Sequence, residues 1–138
     1  MAMTSGWLID KSALWKLRQS PEYTMWVDRI NRGLVAACIT TRLEIAVSAI
    51  DSARWPNLRH SLLDPLLDAP TGLRSERIAL EMMEALMSRR LHRSVPVPDV
   101  LIASVAAAER LTVLHDDRDF ERIRDAYGEP DVERLRLG

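Results

Sequence analysis

Asp10, Glu44, Asp99 and Asp117 each stand where a short apolar run gives way to a helical pattern. In an α/β fold those junctions lie at the edge of the sheet where ligands are received. Each acid also has a local structural explanation. Asp10 closes the run Gly6-Trp7-Leu8-Ile9 and could cap the helix that follows. Ser12, two residues on, either starts that helix or orients Asp10 and a ligand water. Glu44 completes the pattern Thr41-Arg42-Leu43-Glu44, a capping box on its face, yet the same helix would begin at the end of a strand and aim a carboxylate at the crevice. Asp99 follows Pro98 in a first helical turn, where the helix dipole stabilises an anion by about 0.3–1 kcal/mol. His115-Asp116-Asp117-Arg118-Asp119-Phe120 is denser. Three acids in four positions after a strand repel one another, so a cation site is the better reading there.

Convergence of the four acids would have a consequence. Two unit charges about 5 Å apart repel by roughly 3 kcal/mol at an effective dielectric of 20, so the ionised cluster requires a divalent cation or shared protons. All-oxygen ligands select hard cations, Mg2+ or Mn2+, which suit phosphodiester hydrolysis. A zinc site finds no support, because His60, His92 and His115 are dispersed and Cys38 is the single cysteine, set in an apolar run that reads as buried.

The elements that must position these acids follow from periodicity. Strands are expected over residues 6–10, 34–39, 66–70, 111–114 and 132–137. Helices are expected from residue 12, in two pieces over 13–32, then over 40–50, 52–64, 75–92, 99–110 and 119–126. Helices alternating with short, non-alternating apolar strands argue for a parallel sheet covered by helices, and 138 residues with 47% hydrophobic content suit one domain, residues 1–138. The net charge of −1 provides no global field for nucleic acid, so such a partner must be held by a local patch or a metal. Of the 19 basic residues all but Lys11 and Lys16 are arginine; Arg89, Arg90 and Arg93 form the densest group and are candidates for contact with an RNA backbone. The four tryptophans suit core or interface better than base stacking. Neither a signal peptide nor an 18-residue apolar span is evident, and one buried thiol fits a reducing, cytoplasmic setting.

The residues that carry the acids also carry a resemblance. Leu8-Ile9-Asp10-Lys11-Ser12-Ala13-Leu14, the segment 41–46, Val97-Pro98-Asp99-Val100-Leu101-Ile102-Ala103 and the segment 115–120 resemble, in order, the motifs of PIN-domain ribonucleases, specifically VapC-type toxins of bacterial toxin–antitoxin modules. The last is similar to Thr-x-Asp-x-Asp-Phe, with His115 in the threonine place. The resemblance implies a three-layer α/β/α sandwich with a central, mainly parallel sheet, and a Mg2+-dependent endoribonuclease, with Mn2+ as substitute. Its substrate would be structured RNA such as tRNA or rRNA. Homodimerisation and inhibition by a small cognate antitoxin are implied as well. Asp10 and Asp99 would be the main metal ligands, Glu44 and Asp117 would complete the pocket, Asp119 would be accessory, and Ser12 and His115 would support it. Asp116 would be an exposed bystander. A housekeeping PIN nuclease of RNA processing and a non-catalytic PIN-like binding module are the alternatives. Apolar segments near residues 14–30 and 46–63 are candidate antitoxin or dimer surfaces.

Overall fold

A computed structural model describes residues 6–138 as one parallel five-stranded sheet between two layers of helices. In chain order the elements are β1 (Trp7–Ile9), α1 (Lys11–Leu14), a 3-10 turn (Leu17–Gln19), α2 (Tyr23–Asn31), β2 (Val35–Ala37), α3 (Ile39–Val47), α4 (Trp55–Leu62), β3 (Leu67–Asp68), α5 (Leu73–Ser88), α6 (Val97–Glu109), β4 (Thr112–His115), α7 (Arg118–Tyr127) and β5 (Val132–Arg134). The strand order is β3-β2-β1-β4-β5, every pair parallel. The chain adds β2 and β3 on one side of β1, then crosses through α5 and α6 to add β4 and β5 on the other. The order therefore reverses between β1 and β4, and beyond their carboxyl ends lies the crevice where such sheets bind ligands.

Side-chain alternation along the strands builds two cores. Leu8, Ala36 and Val113 face the layer of α5, α6 and α7 and pack with Met82, Leu86, Ile102, Phe120 and Ile123. Ile9, Val35, Ala37 and Leu114 face the other way, onto Leu14, Leu17, Trp26, Ile45 and Leu63. With both faces covered, the strands need apolar residues at every position, which is why they read as continuous runs. Cys38 is buried, as its setting suggests. Trp26 lies in the core and meets Trp7 edge-to-face at 5.2 Å, with the Arg29 guanidinium over both rings. Trp15 is half-exposed.

Several boundaries differ from expectation. The third strand shrinks to Leu67–Asp68 and the last to Val132–Arg134. Both are edge strands, paired on one side only, so little holds their ends. The helix expected over 75–92 runs Leu73–Ser88 and ends at Arg89, and Arg90 takes a left-handed conformation that turns the chain towards α6. The helix expected from Asp99 begins two residues earlier, with Pro98 in its first turn.

One glycine is fixed by close approach. At Gly6, φ is +152°, and an added Cβ would lie 2.5 Å from the Leu34 carbonyl oxygen, next to the Trp7 N–H bond that starts the β1–β2 pairing. Gly6→Ala should destabilise the fold by about 2 kcal/mol, read as a lower urea midpoint at unchanged m-value.

Candidate functional site

Asp10 ends β1 and caps α1. Its Oδ2 accepts from the Ser12 backbone N–H at 3.0 Å and from the Ser12 hydroxyl at 2.6 Å. That is the structural role foreseen for it, and it accounts for one oxygen only. Oδ1 is buried and has no hydrogen-bond partner. The capping role and a ligand role therefore divide between the two oxygens of one carboxylate.

Ser12 is itself held in place, because its hydroxyl accepts the Asp116 backbone N–H at 2.9 Å. Asp116 is no exposed bystander: its side chain is 13% exposed and is clamped between Lys16 and Arg134, and Arg134 also reaches Glu121. These cations hold its carboxyl below the usual range. The clamp ties the segment after α1, β5 and α7 to the end of β4, and through Ser12 it positions Asp10. The acidic run suggested repulsion, but the two cations that relieve it come from distant sequence.

Glu44 does not form the capping box. α3 starts at Ile39 with Cys38 as its cap residue, which places Glu44 in the second turn rather than the first. Freed from that role, its Oε2 lies 3.2 Å from Lys11 Nζ, and its Oε1 is buried without a partner. Asp99 sits in the first turn of α6, 7% exposed, with Oδ2 buried and unpartnered. Asp117 caps α7 by accepting the Asp119 N–H at 3.0 Å, and Asp119 receives Arg122 at 2.9 Å.

His115 is fully buried. Its Nδ1 accepts the Asp117 backbone N–H at 3.1 Å and its ring packs against Phe120. Burial, aided by Arg134, holds the imidazole below its ordinary pKa and hence neutral, as an acceptor must be. A histidine in the threonine place thus keeps an acceptor for the Asp117 turn. Arg89, Arg90 and Arg93 are exposed at the end of α5 and in the connection to α6, ahead of Asp99.

Among the described residues, Asp99, Asp117 and Asp119 offer carboxylate oxygens within 4.8 Å of one another, a spacing that can hold a metal ion. Asp119 thus stands with Asp99 and Asp117 in that trio, while Asp10 and Glu44 lie outside it. Asp10 remains electrostatically close: after burial, its charge is the foremost influence raising Asp99, followed by Asp117 and Asp119, and together they push the Asp99 carboxyl up to about 8. Asp10 is raised too, chiefly by burial, against the opposing hydrogen bonds from Ser12. Three buried carboxylate oxygens without partners and a carboxyl that resists ionisation mark a place where acids outnumber the cations beside them, Lys11 and Arg122. The donors are all oxygen, so the residues fit a hard divalent cation.

The sequence matches the PIN domain family over residues 8–126. It is 43% identical over 133 residues to Ribonuclease VapC2 of Mycobacterium tuberculosis (strain CDC 1551 / Oshkosh), covering 94% of this chain and 92% of the relative. The chain belongs to the PIN-domain family, among the VapC-type ribonucleases. Ribonuclease VapC21 of the same strain is 36% identical over 128 residues, covering 93% of each chain. The PIN fold is matched by the crystal structure of VapBC-5 from Mycobacterium tuberculosis, a member of the VapBC family of toxin–antitoxin systems, with TM-score 0.68 and 23% identity over 96% of this chain and 99% of that one. VapBC2 from Rickettsia felis, bound to a DNA fragment from its promoter, matches with TM-score 0.74 and 15% identity over 94% and 98%. At those identities the likeness concerns the fold. No helix among the described residues is long and apolar enough to cross a membrane.

The raised Asp99 carboxyl carries a stability signature. Its ordinary value is 3.8, so between about pH 4 and 8 the folded protein holds a proton that the unfolded chain releases. Stability of the metal-free protein should fall as pH rises through that window. Asp99→Asn should flatten the fall and raise metal-free stability at pH 8 by about 1–3 kcal/mol, measured by thermal melts in chelator from pH 5 to 9.

Proposed function

We propose that this chain is the toxin of a toxin–antitoxin pair, a Mg2+-dependent endoribonuclease that cuts structured RNA such as tRNA or rRNA and is silenced by a cognate antitoxin. The observation that carries the reading is the set of unpartnered, buried oxygens of Asp10, Glu44 and Asp99 at one crevice beside Asp117 and Asp119. Named relatives that are ribonucleases, and fold neighbours from toxin–antitoxin complexes, support the toxin reading.

In this mechanism Asp99, Asp117 and Asp119 would hold the ion, and Asp10, whose charge acts on Asp99, would add its negative field. When bound, Mg2+ supplies an activated water and neutralises charge on the leaving oxygen. The protein's share is placement. Ser12 keeps Asp10 in one rotamer by occupying Oδ2, and His115 fixes the turn from which Asp117 projects. The water oxygen adds to phosphorus while the bond to one ribose oxygen breaks and that oxygen takes a proton. Arg89, Arg90 and Arg93 guide the RNA backbone towards the α6 end of the crevice.

The antitoxin's place in this reading is the groove of about 180 Å3 between α2 and α4, lined by Leu14, Leu17, Tyr23, Ile30, Leu62 and Pro65. Its mainly apolar lining, with Arg18, Asn31 and Ser61 among the polar lining residues, suits the apolar face of a partner helix. The homodimer is assigned to the ridge Ile39, Leu43, Val47 and Ile50 along and beyond α3, which stays exposed although apolar.

Mapping of RNA 5′ ends after brief expression should show cleavage at one structured loop, and growth arrest rescued by a neighbouring small gene. Asp99→Asn should lower the cleavage rate at least 100-fold without unfolding the chain. Unchanged RNA in both cases would favour a binding module, and cleavage without growth arrest would favour a housekeeping nuclease.

A further inference from the structure

The acidic crevice has two unlike halves. Asp99, Asp117 and Asp119 form the half whose oxygens approach within 4.8 Å. The other half is made by Asp10 and Glu44, and there a cation is already supplied: Lys11 Nζ lies 3.2 Å from Glu44 Oε2. Among the described residues, two basic side chains are ion-paired with the acids of the crevice: Arg122 with Asp119 at 2.9 Å in the first half, and Lys11 with Glu44 in the second, where it is the only one. We propose that Lys11 is a built-in cation standing where a second divalent ion would otherwise be needed, so that the site works with one ion and presents the Lys11 ammonium to an RNA phosphate.

Stability does not explain the pair. The Lys11 side chain is 47% exposed, and ion pairs of that kind contribute only about 0–1 kcal/mol. Its placement is nevertheless fixed at the root. Lys11 opens α1 immediately after Asp10, whose own backbone N–H is bound to the Leu114 carbonyl at 3.0 Å. The ammonium thus sits on a flexible stem at a rigid point, in reach of solvent, while Glu44 is 19% exposed with one oxygen sealed inside. A compact point charge of this kind can neutralise a carboxylate and then meet a phosphate. Charge balance agrees: with one divalent ion and the Arg122 guanidinium on Asp119, the five ionised carboxylates of Asp10, Glu44, Asp99, Asp117 and Asp119 still carry an excess of two negative charges, and Lys11 halves it. That matters for an approaching phosphate, which is itself an anion.

The inference rests on the metal-dependent reading, and its test separates the two. Mn2+ binding to the purified chain, followed by calorimetry and electron paramagnetic resonance, should give one ion per chain. Lys11→Ala should bind two, and Lys11→Ala with Glu44→Gln should return to one. RNA cleavage by Lys11→Ala at low Mn2+ should slow roughly 100-fold and recover as Mn2+ is raised, with the melting temperature unchanged. One ion in both the unaltered chain and Lys11→Ala would overturn the role of Lys11 and leave the metal-dependent reading standing. Two ions in the unaltered chain would do the same. No Mn2+ binding by the unaltered chain would overturn both.

Discussion

Carboxylates buried without partners are the constraint on which the rest of the molecule depends. Asp10, Glu44 and Asp99 each keep one oxygen out of water and out of any hydrogen bond, and burial, followed by the charges of Asp10, Asp117 and Asp119, pushes the Asp99 carboxyl up to about 8. A protein tolerates that only if packing elsewhere fixes the acids against their own repulsion. The two apolar cores on either face of the sheet provide that framework. A cation bound there would meet ligands already desolvated and already close.

The fold delivers the acids to one place by topology and holds them by contacts outside the crevice. β1 and β4 are neighbours across the point where strand order reverses, so Asp10 and the 115–119 turn emerge side by side. α6 brings Asp99 by its first turn and α3 brings Glu44. Around them lies a second set of residues that position the acids: Lys16 and Arg134 clamp Asp116, Asp116 holds Ser12, and Ser12 holds Asp10. His115 does the same for Asp117. Positioning of this kind through backbone N–H groups explains how a site built from loop ends can be rigid.

Much of this was legible in the residues, for definite reasons. Doubly covered parallel strands must be apolar throughout, so runs such as Leu34 to Ile39 announced themselves, and their acidic ends marked the crevice. The position of Asp99 followed from the prolines before it. Glu44 was ambiguous because Thr41 and Glu44 mimic a capping box, and only the actual start of α3 at Ile39 removes that reading. Asp116 was misjudged because its partners, Lys16 and Arg134, are remote in sequence and meet only once the sheet forms. The rise of Asp119 from accessory to member of the trio, and the pairing of Lys11 with Glu44, likewise depend on distances between elements that no local pattern encodes.

The central claim is that a divalent ion completes this crevice at Asp99, Asp117 and Asp119 with Asp10 alongside. Anomalous diffraction from crystals equilibrated with Mn2+ tests it most directly. The account predicts a strong anomalous peak among the oxygens of Asp99, Asp117 and Asp119. A peak elsewhere on the molecule, or none at this crevice at saturating Mn2+, would contradict it.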